Sequence, residues 1–302
     1  MSKSSGLELY NAVALATAGT VIRSYSTSFT LASRLLDRGV RGRIESVYGL
    51  VRLADEIVDG TAAAARLEPD QIAKRLDGLE QETETALSSG YSSNLIVHAF
   101  ALTARDVGIG PELTRPFFGS MRADLTLTEH TQESFTDYVY GSAEVIGLMC
   151  LRCFLYKGTV SIELEETLME GARKLGAAFQ KVNFLRDLGQ DFESLGRSYF
   201  PDLRVENFSN ADKDRLLADI EADLRISAAA IPFLPTSSRY AVALAQEIFA
   251  ELVRRLNATP ASELLQTRVR VPNPIKLALA ARVMVKTRVP GQLHFNSGGL
   301  SR

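Results

Sequence analysis

Along most of this chain apolar residues recur at steps of three and four, the period of a helix packed by one face. The pattern predicts helices over residues 7–24, 28–36, 42–60, 69–88, 93–107, 111–127, 134–157, 161–193, 212–229, 239–257 and 273–288. Ala, Leu, Glu and Arg fill these windows, and the β-branched alternation of strands is scarce. The breaks fall where Pro and Gly cluster, at "GIGPE", "GRSYFP", "AAIPFLPTSS", "NATPAS" and "RVPNP". Pro69, Pro111 and Pro274 stand where the first turn of a helix tolerates a residue without an N–H. No long linker, low-complexity segment or internal repeat divides the chain, which predicts one all-α domain over residues 1–302. A bundle of that many helices can enclose a central cavity, and side chains on facing helices can build a site there.

Two helices depart from the pattern. In "YGLVRLADEIVDG", Tyr48, Arg52, Asp55 and Asp59 fall at steps of four, three and four, so they share one face. In "AAFQKVNFLRDLGQDFE", Gln180, Asn183, Asp187 and Asp191 fall at steps of three, four and four. Each helix thus carries D-x-x-x-D with polar companions one and two turns earlier, bordered by apolar residues. A single such row is ordinary on a solvated helix; two matching rows point to one shared place. Four carboxylates around a cavity would repel one another and resist desolvation. A divalent cation relieves both, and Mg²⁺ suits carboxylate and amide oxygens while sharing its shell with substrate phosphate. Arg52 and Arg186 add fixed cations suited to phosphate. The expectation is a site for Mg²⁺ and diphosphate inside a helical, mostly apolar cavity. Glycoside hydrolysis also uses paired carboxylates, but it needs one acid and one base rather than two rows backed by Arg.

Composition changes this picture little. Hydrophobic residues at 46% and charged residues at 23% are the balance of a soluble globular protein, which argues against disorder. The net charge of −2 is not that of a nucleic-acid binder. Its distribution is uneven: from Leu252 onward there are nine basic residues and one acid, Glu263. That segment favours phosphate ligands or an anionic membrane surface, unless it is merely a solvated basic helix. Cys150 and Cys153 form C-x-x-C inside the apolar run "IGLMCLRCFLY", without the four ligands of a structural zinc site or the usual redox context. They read as buried helix residues, in keeping with a reducing, cytoplasmic compartment. No apolar run is long enough to span a bilayer, and the N-terminal patch reads as a first helix rather than a signal peptide.

At these residues the sequence resembles the squalene and phytoene synthase family of head-to-head prenyl synthases. The motifs that carry the resemblance are "SYSTSF" at 24–29, "YGLVRLADEIVD" at 48–59, "YVYGSAEVIGLM" at 138–149, "QKVNFLRDLGQDF" at 180–192 and "GRSYFP" at 196–201. The resemblance implies an isoprenoid-synthase bundle in which Asp55 and Asp59 of the first row and Asn183, Asp187 and Asp191 of the second bind Mg²⁺, with Mn²⁺ as a substitute. Tyr48, Arg52, Gln180 and Arg186 would hold diphosphate or line the reacting centre. Tyr25, Ser26, Thr27, Ser28 and Phe29 match a flap-side stretch that contacts substrate. Tyr138, Ala143 and Gly147 match a cavity helix whose small residues leave room for a prenyl chain. Arg197 and Tyr199 match the loop after the second row, and Arg268 and Lys276 match basic residues that reach diphosphate. Two departures stand out: Glu144 replaces a residue that is often small, and Phe249 replaces a tyrosine.

The implied reaction joins two allylic prenyl diphosphates through a cyclopropyl diphosphate, with Mg²⁺ assisting departure of diphosphate. Aromatic faces such as Phe29, Tyr48 and Tyr138 can stabilise a passing cation, or simply pack the core. The wording of "GSAEVIGLM" and "RVRVPNPIKLALAA" is most like bacterial phytoene synthases. That implies two geranylgeranyl diphosphates condensing to phytoene in carotenoid biosynthesis, with no NADPH. It also implies a cytoplasmic protein in peripheral contact with the inner face of the plasma membrane for product release. Three alternatives stay open: an enzyme that makes squalene, dehydrosqualene or the cyclopropyl intermediate from farnesyl diphosphate; a terpene cyclase; and a non-catalytic prenyl-lipid-binding relative.

Overall fold

The structure, a computed structural model, describes residues 6–286, apart from the side chains of residues 194, 195 and 286. Its helices run in order: α1 Gly6–Tyr25, α2 Thr27–Ser33, α3 Arg38–Val58, α4 Thr61–Ala64, α5 Pro69–Ser89, α6 Leu95–Val107 and α7 Pro111–Thr126. α8 Gln132–Val139 continues through a π-helical turn, Tyr140–Glu144, into α9 Val145–Phe154. α10 Ile162–Leu195, α11 Asn210–Ala230, α12 Thr236–Ala258, α13 Ala261–Leu264 and α14 Asn273–Lys286 follow, with 3₁₀ turns at Val205–Asn207 and Ile231–Phe233. Among the described residues strand-like pairing is confined to one isolated parallel bridge, Glu129 to Ser198. The chain is all-α, as its periodicity predicts.

The local reasons are those of the sequence. Pro69 and Pro111 open α5 and α7. Asn94, Ser161 and Ser209 cap α6, α10 and α11 by accepting backbone N–H bonds of the first turn. Gly90, Gly108 and Gly196 end α5, α6 and α10 in the left-handed conformation. Several expected boundaries shift by one to four residues, and two have a visible cause. α3 starts at Arg38 rather than 42, because Arg41 donates to the Ser33, Arg34 and Leu36 carbonyls and so outweighs the cost of Gly39 and Gly42. α2 ends at Ser33, where the backbone tightens into three-residue bonds from Leu35 to Ala32 and from Leu36 to Ser33. The last two residues of the helix expected over 273–288 lie outside the described residues, as do Arg288 and Arg302.

Two apolar cores flank a seam. One gathers Val47, Leu50, Ala54 and Val58 of α3 with Leu76, Phe100, Phe117, Phe118 and Met149. The other gathers Val182, Leu185 and Leu188 of α10 with Leu217, Ile220, Leu252 and Leu256. Between them α10 lies against α9 and the π turn with almost no side chain in the way. A Cβ on Gly147 would stand 2.3 Å from the Ala172 carbonyl oxygen, and one on Gly176 would stand 2.4 Å from that of Ala143. Both distances are shorter than any real contact, so only glycine permits this approach. The outer side of α10 is fastened to α11 by Lys181, whose ammonium lies 2.6 Å from Asp219 and 2.8 Å from Asp223.

Candidate active site

The helical period of α3 buries Val47, Leu50, Ala54 and Val58 and leaves Tyr48, Arg52 and Asp55 on the opposite side, with Asp59 as the C-cap. The Arg52 guanidinium lies 4.3 Å from the centroid of the Tyr25 ring, a cation–π geometry. It also pairs with Glu56 one turn on, and Glu56 in turn accepts from the Thr61 hydroxyl. Arg52 Nε is buried without a hydrogen-bond partner. A buried donor left in that state is costly, and here it belongs to the residue type best suited to phosphate oxygens.

On α10, Gln180 donates to Ser142 Oγ at 3.4 Å, and Asn183 is half-buried. Asp187 is gripped by two arginines: Arg186 Nε lies 2.9 Å from Oδ1, and Arg268 Nε and Nη2 lie 2.8 and 3.0 Å from Oδ1 and Oδ2. The basic segment therefore reaches the second row across 81 residues of sequence. Lys276 reaches the flap side instead, donating to Thr27 Oγ1 at 3.2 Å.

The two rows meet at Arg197. Its Nη1 lies 3.5 Å from Asp59 Oδ1 and 3.2 Å from the Tyr199 hydroxyl, its Nη2 donates to the Asp124 carbonyl at 2.6 Å, and its backbone N–H bonds the Asp191 carbonyl at 3.3 Å. Ser198 holds this loop in place by a 2.8 Å backbone bond to Thr128 at the end of α7.

Electrostatics record the convergence. Burial, and then the charge of Asp59, push the Asp55 carboxyl up to about 8 against the pull of Arg52. Burial, then Asp187 and Asp59, push Asp191 up to about 6. Asp59 is raised by burial despite Arg197, although 48% of its side chain is still exposed; it sits in a crowded position with an open edge. Desolvation and repulsion by neighbouring carboxylates thus disfavour the ionised forms of Asp55, Asp59 and Asp191.

That deficit is what a cation offsets, and the donors are the hard oxygens Mg²⁺ takes. Among the described residues no three Asp, Glu, His or Cys side chains already form a metal cluster, and Asp187 is held by arginines. The set fits an ion that uses one or two carboxylates from each row and fills its shell with water and phosphate oxygen. The residues that could hold it are Asp55, Asp59, Asn183, Asp187 and Asp191.

Aromatic side chains line both flanks. Phe29 lies 6.2 Å from Tyr48, 6.1 Å from Phe179 and 6.2 Å from Phe249, and Phe179 stacks on Phe249 at 3.7 Å. Tyr138, Phe184 and Tyr199 form the other flank, with Phe184 and Tyr199 stacked at 4.0 Å. Two surface hollows, beside Tyr91–Ser93 and beside Arg152–Val160, lie away from these residues.

Several expected site residues have other duties. Ser26 caps α2, accepting from the Phe29 backbone at 3.2 Å. Ser28 is half-buried and Ala143 buried. Gly147 meets the backbone of α10, so its missing side chain serves helix approach rather than room for a prenyl chain. Glu144 accepts from Arg173 Nε at 2.6 Å and is committed to that pair. Cys153 is buried and Cys150 half-buried, and burial pushes the Cys150 thiol up to about 12, an inert pair as expected.

Sequence reasoning missed Asp124, Glu56, Phe179 and Phe184. Asp124 on α7 is buried, accepts from the Tyr138 hydroxyl at 2.7 Å and lies 3.5 Å from that of Tyr199. Burial pushes its carboxyl up to about 7 against the hydrogen bond of Tyr138 and the charge of Arg197. Phe179 and Phe184 stand directly beside Gln180 and Asn183, so the flanks of the second row were a usable signal.

The chain belongs to the squalene/phytoene synthase family, whose sequence profile matches residues 22–274. It is 26% identical to a phytoene synthase of Mycobacterium bovis over 296 residues, 91% of this chain and 92% of that one. It is also 26% identical to a phytoene synthase of Pseudescherichia vulneris, over 78% of this chain and 80% of the relative. A 4,4'-diapophytoene synthase of Staphylococcus haemolyticus is 26% identical over 67% of each chain. Among solved structures, a dehydrosqualene synthase superposes with a TM-score of 0.75 at 21% identity, covering 92% of this chain and 97% of that one. The squalene synthase HpnC from Alicyclobacillus acidocaldarius superposes with a TM-score of 0.69 at 19% identity, over 83% and 97%. These two likenesses establish the isoprenoid-synthase fold.

Proposed function

We propose that the chain is a phytoene synthase that joins two geranylgeranyl diphosphates head to head, through a cyclopropyl diphosphate, in carotenoid biosynthesis. The observation that carries this reading is the meeting of two carboxylate rows, with raised acids and a partnerless Arg52 Nε, between two aromatic flanks. A magnesium ion held there would neutralise the leaving diphosphate.

The chain's own groups do the rest. Arg52 offers its unused Nε to phosphate. Arg186 and Arg268 exchange Asp187 for phosphate oxygens as diphosphate enters, which frees that carboxylate for the metal. Phe29, Tyr48 and Phe179 on one flank and Tyr138 and Tyr199 on the other face a developing cation with π density and keep water away. The Tyr138 hydroxyl, bonded to Asp124 Oδ1, provides a buried path for a proton near neutral pH. None of these steps needs a reductant. The second reading is condensation of two farnesyl diphosphates, favoured by the relative named a diapophytoene synthase.

Labelled geranylgeranyl and farnesyl diphosphates, each with Mg²⁺ and with or without NADPH, separate the readings. Phytoene from the longer substrate without NADPH is the expected product, and exclusive use of the shorter one would overturn the assignment. Asp55→Ala and Asp187→Ala are each expected to lower turnover by about a thousandfold or more while far-UV circular dichroism stays helical. Full activity in either variant would remove the metal argument.

A further inference from the structure

Glu56 stands between Asp55 and Asp59 of the first row, yet both of its carboxylate oxygens are engaged elsewhere. One accepts from Arg52 Nη2 and the other from the Thr61 hydroxyl at the start of α4. An ion pair at this helical spacing is ordinary, and on a solvated face it adds little. Here the two side chains are only 30% and 20% exposed, and the acid is itself held by a second element. The Tyr25 ring closes one face of the same guanidinium, whose carbon lies 4.3 Å from the ring centroid. Arg52 is thus fixed along an edge by Glu56 and across a face by Tyr25. The donor left over is Nε, which is buried and has no partner. An arginine side chain carries rotamer freedom that ligand binding would otherwise have to remove, and one already fixed has less to lose.

Charge and orientation make opposite demands on such a residue. As a charge, Glu56 offsets Arg52 and repels an incoming anion. As a fixed point, it keeps Arg52 in an orientation that leaves Nε open. We propose that the second role prevails: Glu56 is a positioning residue that holds Arg52 ready for a diphosphate oxygen, with Thr61 as its own support. It acts through Arg52 and is not a metal ligand, although it lies inside the D-x-x-x-D row. The inference rests on the reading of the site as one for Mg²⁺ and diphosphate.

The test is calorimetry of the full chain with Mg²⁺ and inorganic diphosphate, so that no turnover is read. Glu56→Ala removes the hold and is expected to weaken diphosphate binding about tenfold. A carboxylate that merely repelled anions would, once removed, strengthen it. Glu56→Gln keeps an acceptor for Arg52 and offers its amide to the Thr61 oxygen, without the charge, and is expected to bind within about threefold of wild type. Thr61→Val, at an exposed position, is expected to weaken binding about threefold alone and to add nothing to Glu56→Ala, since it acts through Glu56. Each variant is titrated well below its own melting temperature. If Glu56→Ala does not fold, Thr61→Val carries the test, and binding equal to wild type overturns the proposal. So does Glu56→Ala that binds as tightly as wild type or tighter, Glu56→Gln as weak as Glu56→Ala, or a Thr61→Val loss that adds in full to that of Glu56→Ala. Wild type that takes up no diphosphate with Mg²⁺ overturns the reading of the site and this inference with it, whereas unchanged binding in the variants overturns the inference alone.

Discussion

Asp124 shows what burial does to one carboxylate even with a guanidinium, that of Arg197, close by. Its ordinary value of 3.8 is pushed up to about 7, so the folded chain keeps a proton that the unfolded chain gives up above about pH 4. Stability therefore falls as pH rises through that window and levels off above 7. Asp124→Asn keeps an acceptor for Tyr138 but cannot ionise. Its melting temperature relative to wild type is expected to climb between about pH 5 and pH 8, by an amount worth about 3 kcal/mol at most. A difference that stays flat with pH would mean that Asp124 is not titrating in the fold. Asp124 was illegible in the sequence because it stands alone in "MRADLT", outside any row; only the fold of α7 against Tyr138 and Arg197 gives it meaning. Asp55 and Asp187 were legible because each belongs to a periodic set that an apolar core does not need.

At the level of elements, the eleven long periodic stretches predicted from the sequence all correspond to helices of the structure. What escaped was short or irregular. α4 and α13 have four residues each, too few to show a period. The π turn at Tyr140–Glu144 was hidden inside a stretch read as one helix over 134–157, since helical segments adjoin it directly on both sides. Its cause lies in packing: a Cβ at Gly141 would stand 2.2 Å from the Pro116 carbonyl oxygen of α7, so that turn is pressed against a neighbouring backbone. Across the seam, Gly176→Ala would place a methyl 2.4 Å from the Ala143 carbonyl oxygen. The expected cost is about 1–3 kcal/mol in denaturant unfolding, with a larger loss of activity than that destabilisation explains, because α10 must shift and carry Asp187 and Asp191 with it. Unchanged stability would show that the helices yield there freely.

For the molecule as a whole, the sequence revealed that two distant rows match, but not how their charges are balanced. The Asp187–Arg268 and Asp59–Arg197 pairs join residues that no local pattern links. On the proposed reading Asp55 and Asp191 must ionise to hold a metal, and burial raises them to about 8 and about 6, so binding is expected to strengthen as pH rises. Mg²⁺ with inorganic diphosphate should raise the melting temperature more at about pH 8 than at about pH 6, and chelation should reverse the gain. An equal gain at both values would argue that these carboxylates take no part.

Each half of the acidic machinery is anchored in its own hydrophobic body, α3 in one and α10 in the other, and they are joined where two glycines let main chain meet main chain. Catalytic geometry is thus adjustable by a slight change in how these bodies seat, with neither interior rebuilt. Screens for altered chain-length preference should find their gains along that joint as often as among the residues that touch substrate.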